Sequence, residues 1–432
     1  MYVPIIYKFW FNLFVATLWF CICFYISIPW IKDLALYISL IPAAIIVLSI
    51  ALIPGFMFMF LLVSYLTDQR KNKAYLGDYP PLTVLIAAYN EENSIAFTFN
   101  SLKNQNYPAP IEIILIDDGS SDKTIEQALG VGLKSLLILN AQHGRKAAAL
   151  NIGLRQASTE YIVTIDADTY LKPEAILQLM IKLLNGPPGT VACAGSVYVK
   201  NSRASLMTRI QEWDYFHAIA AIKRSQSMYQ GTLVAQGAFS VYMKKALIEV
   251  NGWPHGVGED IVLTWALLSK GYRIDFAEYA ISFTNAPETY QQFFFQRSHW
   301  ARGLLEAFRQ HPQVLRNFKL PTFYIYWNLF FIIFDNIFFF VFIPGIIAAC
   351  FGHFYIAGPM TLAVLPLGFL NNLIFYIGQR ELFKLNGLRV RKNILGFIIY
   401  VLCYQFLMNP AVIYGYLSEW FHRKKTWGTK EE

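Results

Sequence analysis

The sequence predicts an α/β domain built on a mainly parallel sheet and inserted between N-terminal and C-terminal transmembrane helices. Three observations support this fold class. Charged residues make up only 15% of the 432 residues, whereas in soluble proteins about a quarter of the residues are charged. The charges cluster between Asp68 and Lys319, so both flanks are apolar. Between the flanks, short apolar runs alternate with polar stretches of helical length.

The N-terminal flank, residues 1–79, predicts two transmembrane helices and a linker. Phe9 to Ile31 is uncharged for longer than a signal-peptide core and lacks a small-residue cleavage site, which indicates a retained helix. Leu34 to Thr67 is also uncharged and exceeds one upright helix across a hydrocarbon core of ~30 Å, so we expect one tilted or kinked helix. Arg70, Lys71 and Lys73 follow, and the positive-inside bias then places the middle domain in the cytosol.

Net charge and cysteine usage argue against two classes of protein. The formal net charge is +8, but many basic residues flank apolar segments, so membrane orientation explains them better than nucleic-acid binding does. Four of the five cysteines lie in apolar segments, and Cys193 alone falls in the polar middle. Their spacing indicates neither a metal site nor a disulfide framework, which fits a reducing cytosol.

The middle of the chain, residues 80–302, predicts strands that alternate with helices. The predicted strands are the Ile-, Val- and Leu-rich runs Leu82–Ala88, Ile111–Ile116, Ser135–Leu139 and Tyr161–Ile165. The predicted helices are Glu92–Asn104, Lys123–Leu129 and Arg145–Gln156. This alternation indicates a mainly parallel sheet with helices on both faces, and such sheets bind ligands at the carboxyl ends of their strands.

Polar residues follow each predicted strand. The first is followed by Tyr89-Asn90-Glu91-Glu92, the second by Asp117 and Asp118, the third by Lys146 near a helix start, and the fourth by Asp166 and Asp168. Helix capping explains Asp122 or Glu92 alone equally well. Four polar strand ends at one edge of a sheet indicate instead a ligand site.

The two carboxylates of Asp166 and Asp168 are two residues apart, so in an extended chain they share one face. Adjacent carboxylates repel each other unless a cation lies between them. Mg²⁺ or Mn²⁺ with phosphate oxygens in its shell satisfies this pattern, and Lys146 at a helix start adds positive charge for a diphosphate. A solvated turn is the alternative.

Together these residues resemble the family 2 glycosyltransferases with a GT-A fold, in particular the membrane-integrated branch that makes poly-N-acetylglucosamine, hyaluronan, chitin and cellulose. The resemblance extends from about Leu82 to Arg302 and to the flanking helices. It implies a cytosolic GT-A domain, a UDP-sugar donor, Mg²⁺ or Mn²⁺, and a growing polysaccharide or a lipid as acceptor. Some relatives also require a small membrane partner subunit. The compact chain is most similar to the bacterial poly-N-acetylglucosamine synthases.

The resemblance also implies roles for individual residues. Tyr89, Glu91 and Asp118 would hold the uracil and ribose, with Asp117 in support. Asp166-Ala167-Asp168 is similar to the metal-binding motif, with Asp168 as the direct ligand. Gly258-Glu259-Asp260 stands where the family has Thr-Glu-Asp, whose aspartate is the general base. Gln236-Gly237-Ala238 is similar to the loop that meets the acceptor.

The family motif Gln-x-x-Arg-Trp corresponds to Gln296-Arg297-Ser298-His299-Trp300. The resemblance places Gln296, Arg297 and His299 at the donor and Trp300 at an acceptor sugar. An aromatic side chain at the membrane interface explains Trp300 as well, and a helix N-terminus ahead of Ile261 explains Glu259 and Asp260.

Two departures from the family pattern stand out. Gly258 replaces a threonine, which leaves the base in place. His299 replaces an arginine, and histidine titrates near neutrality whereas arginine stays charged and binds phosphate with two donors. Arg297 and Arg302 are close enough in sequence to compensate.

The C-terminal part predicts an interface helix and further membrane segments. Residues 303–320 suit an amphipathic helix at the membrane surface. In the remainder, residues 321–432, Pro321–Gly378 predicts two helices separated near residues 352–358, and Asn393–Trp420 predicts either one span or a re-entrant pair ahead of a basic tail. The polar residues within these apolar runs either line a polymer channel or bond neighbouring helices: Asp335, Asn336, Asn371 and Asn372.

Three functional hypotheses follow. The first is a processive, inverting β-glycosyltransferase that polymerises a UDP-sugar such as UDP-N-acetylglucosamine and extrudes the product through the cell membrane. The second is a membrane enzyme that adds one sugar to a lipid, which the replacement at His299 keeps open. The third is a catalytically silent scaffold for polysaccharide export. It predicts loss of a catalytic carboxylate, yet all four candidates are present: Asp118, Asp166, Asp168 and Asp260.

Overall fold

The structure is a computed structural model that describes residues 4–68, 70, 74–141, 144–229, 231–316 and 319–423. The basic residues Lys71 and Lys73 of the predicted linker, and Lys424 and Lys425 of the predicted tail, lie outside this range.

Two long apolar segments begin the chain. Helix α1 (Ile5–Ile38) is followed by α2 (Leu40–Val47), a π-helical turn over Leu48–Leu52, and α3 (Ile53–Thr67). The π-helical turn lies just before Pro54, which cannot donate a backbone hydrogen bond, so the second segment is irregular as predicted. The start of α1 and the end of α3 lie together, because Lys8 Nζ donates to the Thr67 carbonyl at 2.8 Å.

The α/β domain follows. Its strands are β1 (Leu82–Ala88), β2 (Ile111–Asp117), β3 (Leu136–Asn140), β4 (Tyr161–Ile165), β5 (Tyr170–Leu171), β6 (Thr190–Val199), β7 (Phe239–Met243) and β8 (Arg273–Thr284). Its helices are α4 (Ile95–Lys103), α5 (Thr124–Gly130), α6 (Lys146–Gln156), α7 (Ala175–Leu184), α8 (Leu206–His217), α9 (Arg224–Met228), α10 (Lys244–Glu249), α11 (Glu259–Ser269) and α12 (Tyr290–Gln310).

The sheet is mixed, with strand order β3-β2-β1-β4-β7-β6-β8-β5. The first four strands of the chain pair in parallel, and β6 pairs in parallel with β8. Strand β7 runs antiparallel to both β4 and β6, and β5 runs antiparallel to β8. The prediction of a mainly parallel sheet is confirmed. Ala88 is opposite Asp117, so β1 and β2 end together and bring their polar continuations to one edge.

The sheet is buried on both faces. Leu85 packs with α6 through Leu150 and Leu154, whereas its neighbours Val84 and Ile86 pack with the cluster on the other face. This alternation follows from the two-residue period of a strand. Continuous apolar runs such as β1 therefore fit a strand that is covered by helices on both sides.

Helix α12 crosses the predicted domain boundary. It continues without a break from Tyr290 to Gln310, and a 3₁₀ turn over Pro312–Arg316 follows. The predicted division at residues 302 and 303 therefore falls inside one helix. Its capping box, in which Thr289 and Gln292 satisfy each other's backbone amides, fixes the start of this helix.

The C-terminal part consists of α13 (Leu320–Ile337), a π-helical turn over Phe338–Phe342, α14 (Ile343–Cys350), α15 (Pro359–Leu385) and α16 (Ile394–Trp420). The break between α14 and α15 falls at the predicted residues. Helix α16 is continuous through Pro410, so a re-entrant pair of half-helices is not formed. Within the described residues, four segments are long and apolar enough to cross a membrane: Ile5–Ile38, Leu40–Thr67, Leu320–Cys350 and Ile394–Trp420.

Buried polar groups join these helices to each other. Asp335 of α13 accepts hydrogen bonds from Asn409 Nδ2 at 3.2 Å and from the Tyr416 hydroxyl at 2.9 Å, both on α16. Asn336 and Asn372 donate to carbonyls of their own helices. For Asp335 the structure therefore supports helix-to-helix bonding.

An ionic joint connects the membrane helices to the domain. The Asp68 side chain, at the end of α3, is only 2% exposed and accepts two hydrogen bonds from the Arg70 guanidinium, each at 2.9 Å. Arg224 of α9 donates to it at 2.8 Å and contacts Glu278 of β8 at 3.4 Å. Burial alone would raise the pKa of Asp68, but Arg70 and Arg224 outweigh it and hold that pKa well below its usual value.

Candidate active site

The aspartates after β2 organise the predicted donor edge. Asp117 and Asp118 are both buried. The Asp118 carboxylate accepts from the backbone amides of Gly144 at 2.9 Å and Arg145 at 3.1 Å, immediately before α6. Asp117 accepts from the Ser120 amide at 3.3 Å. Asp118 thus ties the end of β2 to the helix that begins at Lys146.

The polar residues after β1 divide into two groups. Tyr89 and Glu91 lie half-buried at the same edge, and the Glu91 amide donates to Thr124 Oγ1 at 2.8 Å. Glu92 and Asp122 are occupied with backbone amides, since Asp122 accepts from Glu92 and Glu92 accepts from Lys123, both at 3.1 Å. The capping interpretation therefore applies to Glu92 and Asp122.

Asp166 and Asp168 lie in a turn rather than in an extended strand. Strand β4 ends at Ile165, and the Thr169 amide donates to the Asp166 carbonyl at 3.0 Å. The expectation that both side chains lie on one face of an extended strand was therefore wrong, although the charges of the two carboxylates do interact. Burial raises the pKa of Asp168 to about 6, and the charges of Asp166 and Glu91 add to this shift. Thr284 donates to Asp168 at 3.1 Å.

Lys146 connects the acidic turn to the predicted base motif. Its Nζ bonds to Asp166 and lies 3.7 Å from Glu259 Oε1. Burial alone would lower the pKa of Lys146, but Asp166 and Glu259 outweigh it and raise that pKa. A Cβ at Gly237 would lie 2.7 Å from the Lys146 ammonium, so this glycine allows the close approach. The structure thus brings Lys146, Asp166, Gly237 and Glu259 together.

Glu259 and Asp260 open helix α11, as the helix-start interpretation of this motif predicted. Burial raises the pKa of Glu259 to about 7, with Asp260 raising it further and Lys146 opposing. Asp260 Oδ1 accepts from the Ile261 amide at 2.7 Å. The Asp260 carbonyl accepts from Thr264, whose hydroxyl in turn accepts from the Ala235 amide beside Gln236.

Gly258 and Gly303 bring α11 and α12 into backbone contact. A Cβ at position 258 would lie 2.4 Å from the Gly303 Cα, and one at position 303 would lie 2.8 Å from the Gly258 Cα. The replacement of the family's threonine by Gly258 therefore has a steric reason, because a side chain at this position has no room.

The segment Gln296–Trp300 lies on the first half of α12. Arg297 is 4% exposed, donates to Asp214 of α8 at 2.8 Å, and its guanidinium lies 4.0 Å from the Trp300 ring centroid. Trp300 itself is 51% exposed. The side-chain oxygen of Gln296 and the Nε of Arg297 are buried and have no partner among the described residues.

Arg302 does not stand in for the arginine that His299 replaces. It is buried, lies 3.4 Å from Glu419 of α16, and donates to the Arg423 carbonyl at 2.9 Å. The expectation that Arg302 compensates at the donor was therefore wrong, because residues 297 and 302 project to different sides of α12. Burial and the charge of Arg302 lower the pKa of the half-buried His299.

Comparison with known proteins agrees with this geometry. Residues 83–250 match the sequence profile of the family described as Glycosyl transferase family 2. Over these residues the α/β domain matches the family 2 glycosyltransferases. This confirms the family that the strand-end motifs predicted.

Two bacterial synthases are similar to this chain in sequence. The chain is 32% identical over 253 residues to the poly-β-1,6-N-acetyl-D-glucosamine synthase of Staphylococcus aureus, covering 58% of this chain and 59% of that protein. It is 34% identical over 241 residues to the synthase of the same name from Staphylococcus epidermidis, covering 55% and 56%. The chain thus matches less than two thirds of the length of these curated relatives.

A solved structure shows the same fold. It is a mannosyltransferase from Pyrobaculum calidifontis in complex with GDP-Man and Mn²⁺, with a TM-score of 0.61. The match covers 88% of this chain and 99% of that protein at 18% identity. The likeness confirms the GT-A-type architecture with flanking helices.

The carboxylates of the acidic turn suit a hard divalent cation as ligands. Asp166 and Asp168 supply carboxylate oxygens, and the Lys146 ammonium on Asp166 shows that a cation is accommodated there. Within the described part of the chain, no third His, Cys, Asp or Glu joins them in a metal-binding cluster. Diphosphate and water oxygens would complete such a shell.

Sequence reasoning missed two residues of α8, Asp214 and Tyr215. Asp214 pairs with Arg297, and the Arg297 guanidinium lies 6.0 Å from the Tyr215 ring centroid. Burial raises the pKa of Tyr215 to about 12. The charge of Arg297 opposes this shift, and the charges of Asp214, Asp168 and Asp166 reinforce it. The sequence feature that could have identified them is an acidic residue between two aromatic residues, Trp213-Asp214-Tyr215. Gln236 donates to the Gly195 carbonyl of β6 and so braces its loop.

Proposed function

We propose that the chain is an inverting glycosyltransferase that polymerises a UDP-sugar, UDP-N-acetylglucosamine, into a β-linked polysaccharide. One observation carries the proposal: Lys146 contacts both Asp166 and Glu259 and so joins the acidic turn to the predicted base motif. The likeness to two poly-β-1,6-N-acetyl-D-glucosamine synthases supports both the sugar and the polymeric product.

The residues of this site suit a single displacement with inversion. The acceptor hydroxyl attacks the anomeric carbon while the bond to UDP breaks, and Asp260 takes the hydroxyl proton. Lys146, which is held charged by Asp166 and Glu259, stabilises the negative charge on the departing diphosphate. Asp166 and Asp168 would hold Mg²⁺ or Mn²⁺, which supplies further positive charge for the diphosphate.

The remaining roles follow the position of each residue. Tyr89, Glu91, Asp117 and Asp118 hold the uracil and ribose at the ends of β1 and β2. The unpaired polar atoms of Gln296 and Arg297 face a ligand, and His299 lies on the same helix. The exposed ring of Trp300 stacks with an acceptor sugar, with Gln236 and Gly237 on the opposite loop.

The membrane segments complete the proposal. The domain faces the cytosol, where the donor is available, and the product leaves through the helices that flank it. The buried Asn371 Oδ1 of α15, which has no partner among the described residues, supports a polar path between helices.

Incorporation of radiolabelled UDP-N-acetylglucosamine tests the proposal. Membranes carrying the wild type, with Mg²⁺ or Mn²⁺, should make long polymer, and Asp260→Asn should make none because its amide takes no proton. Equal incorporation by both proteins would disprove the role of Asp260. If the wild type incorporates no sugar from any UDP-sugar, adding a small membrane subunit tests whether a partner is required. If there is still no incorporation, the hypothesis that the chain is an enzyme is refuted.

The second candidate is transfer of one sugar to a lipid. His299 favours it, because Arg302 is turned toward α16 and does not replace the arginine that the family motif has at position 299. Product length separates the two candidates, since a short product that partitions into organic solvent indicates the lipid acceptor.

A further inference from the structure

The segment that leads into α11 rests on α12 at two consecutive points. The first point is the backbone contact between Gly258 and Gly303. The second is Glu306, one helical turn later, whose Oε2 accepts from the Val257 amide at 3.2 Å. Residues three apart on a helix share one face, so both points lie on the same side of α12.

Glu306 is a buried carboxylate with 2% of its surface exposed. A Cβ at Gly256 would lie 2.6 Å from its Oε2, so the backbone of the segment passes directly against the carboxylate. Its other oxygen accepts from Gln310 Nε2 at 3.1 Å. Burying a carboxylate is costly unless it is hydrogen-bonded, and this one directs an oxygen at a backbone amide.

The segment held by Glu306 ends at the predicted base. Val257 is three residues before Asp260, and α11 begins between them at Glu259. On the far side, Thr264 links the Asp260 carbonyl to the Ala235 amide. The backbone around Asp260 is therefore fixed from α12 on one side and from the loop of Gln236 on the other.

We propose that Glu306 is a positioning residue for the general base Asp260. It acts through the Val257 amide and couples the placement of Asp260 to helix α12, on which Trp300 lies. The inference rests on the proposed function, because it takes Asp260 as the base. Misplacing a catalytic group by about 1 Å costs on the order of a hundredfold in rate.

Three variants test this inference. Glu306→Ala removes the acceptor of the Val257 amide, whereas Glu306→Gln keeps a side-chain oxygen for it. Gln310→Ala is the matched control, because it removes a different hydrogen bond of Glu306 and leaves Val257 bonded. We expect kcat to fall tenfold or more in Glu306→Ala, with UDP affinity and the KM for the donor within about twofold of wild type. Glu306→Gln should recover most of the rate, and Gln310→Ala should resemble wild type.

Hydrogen exchange of the peptide covering residues 254–260 provides a readout independent of activity. In Glu306→Ala this peptide should exchange faster, while peptides from β1 and β2 remain unchanged. Unchanged exchange or unchanged kcat in Glu306→Ala overturns the inference, as does a parallel loss of UDP binding. If Asp260→Asn remains active, the proposed role of Asp260 as the base fails instead. If the wild type is inactive, hydrogen exchange still decides whether Glu306 holds the segment.

Discussion

At Gly258 the lack of a side chain determines how two helices meet. A methyl group there would contact the Gly303 backbone, which cannot rotate away as a flexible side chain can. We therefore predict that Gly258→Ala lowers the free energy of unfolding by about 1–3 kcal/mol. It should also slow sugar transfer, since α11 carries Asp260.

The matched control is Gly130→Ala at the end of α5, where a Cβ meets nothing within 4 Å. Thermal unfolding in detergent compares the two variants. If Gly258→Ala unfolds at the same temperature as Gly130→Ala, the two glycines are not in the close contact described here.

Because of Glu259, the free energy of unfolding should depend on pH. Burial, reinforced by Asp260, raises its pKa to about 7 from an ordinary value of 4.5. Between these values the folded protein binds more protons than the unfolded chain. The contribution of Glu259 to stability is therefore full below pH 4.5 and is lost as the pH rises through about 7.

Glu259→Gln does not titrate, so its stability relative to wild type should increase between about pH 5 and about pH 8, by on the order of 1 kcal/mol. Unfolding midpoints in detergent across this range measure the difference. Exposed Glu126→Gln serves as the control and should show no such trend. A constant difference between Glu259→Gln and wild type would contradict the raised pKa.

At the scale of elements, the joint between α3 and the domain depends on one aspartate. Asp68→Asn leaves Arg70 and Arg224 without the buried carboxylate that they share. Removing one member of a buried ion pair typically costs ~3–5 kcal/mol, and we expect a loss of this size in the free energy of unfolding.

The exposed residue Asp78, in the same linker, provides the comparison. Asp78→Asn should unfold at the wild-type temperature, followed by tryptophan fluorescence in detergent. If Asp68→Asn is as stable as Asp78→Asn, the arginines are satisfied without Asp68 and the joint is held by apolar packing instead.

Elements differ in how far their sequence determines them. Strand β1 begins and ends at the predicted residues, because an apolar run bounded by polar residues is a local signal. Strands β5 to β8 were not predicted, since the antiparallel placement of β7 between β4 and β6 depends on contacts distant in sequence. For the same reason α12 continues beyond Arg302, where a change of composition suggested a boundary.

The residues of the candidate site also differ in how far the sequence determines their positions. The rule that parallel sheets bind ligands at the carboxyl ends of their strands correctly placed four residues at one edge: Asp117, Asp118, Lys146 and Asp166. It succeeded because neighbouring parallel strands end at the same edge of a sheet. The direction of a side chain on a long helix does not follow from spacing alone. Arg302 was therefore assigned to the donor although it faces Glu419, and Glu306 was not noticed.

At the scale of the whole molecule, the helices define two sides. Pro321 packs against Gly231 of the domain, and the segment that begins there runs for 31 residues, about 46 Å, which exceeds a hydrocarbon core of ~30 Å. The turn between α14 and α15 should therefore lie on the opposite side of the membrane from the domain.

Cysteine labelling tests this arrangement after the five native cysteines are replaced. Tyr355→Cys, in the turn, should react with an impermeant maleimide in intact cells. His255→Cys, exposed on the domain, should react only after the cells are permeabilised. Labelling in the reverse order would place the domain outside the cell.

The joint at Asp68 has a mechanical consequence. If the domain pushes its product into the membrane, as proposed above, it receives an equal and opposite force at each step. That force pulls on the connection between α3 and β1, where Arg224 and Glu278 extend the contacts of Asp68 into the sheet. The energy of an ion pair falls only with the inverse of the distance between its charges, so it persists through small displacements in any direction. The resistance of this joint to load would then set how hard the enzyme can push.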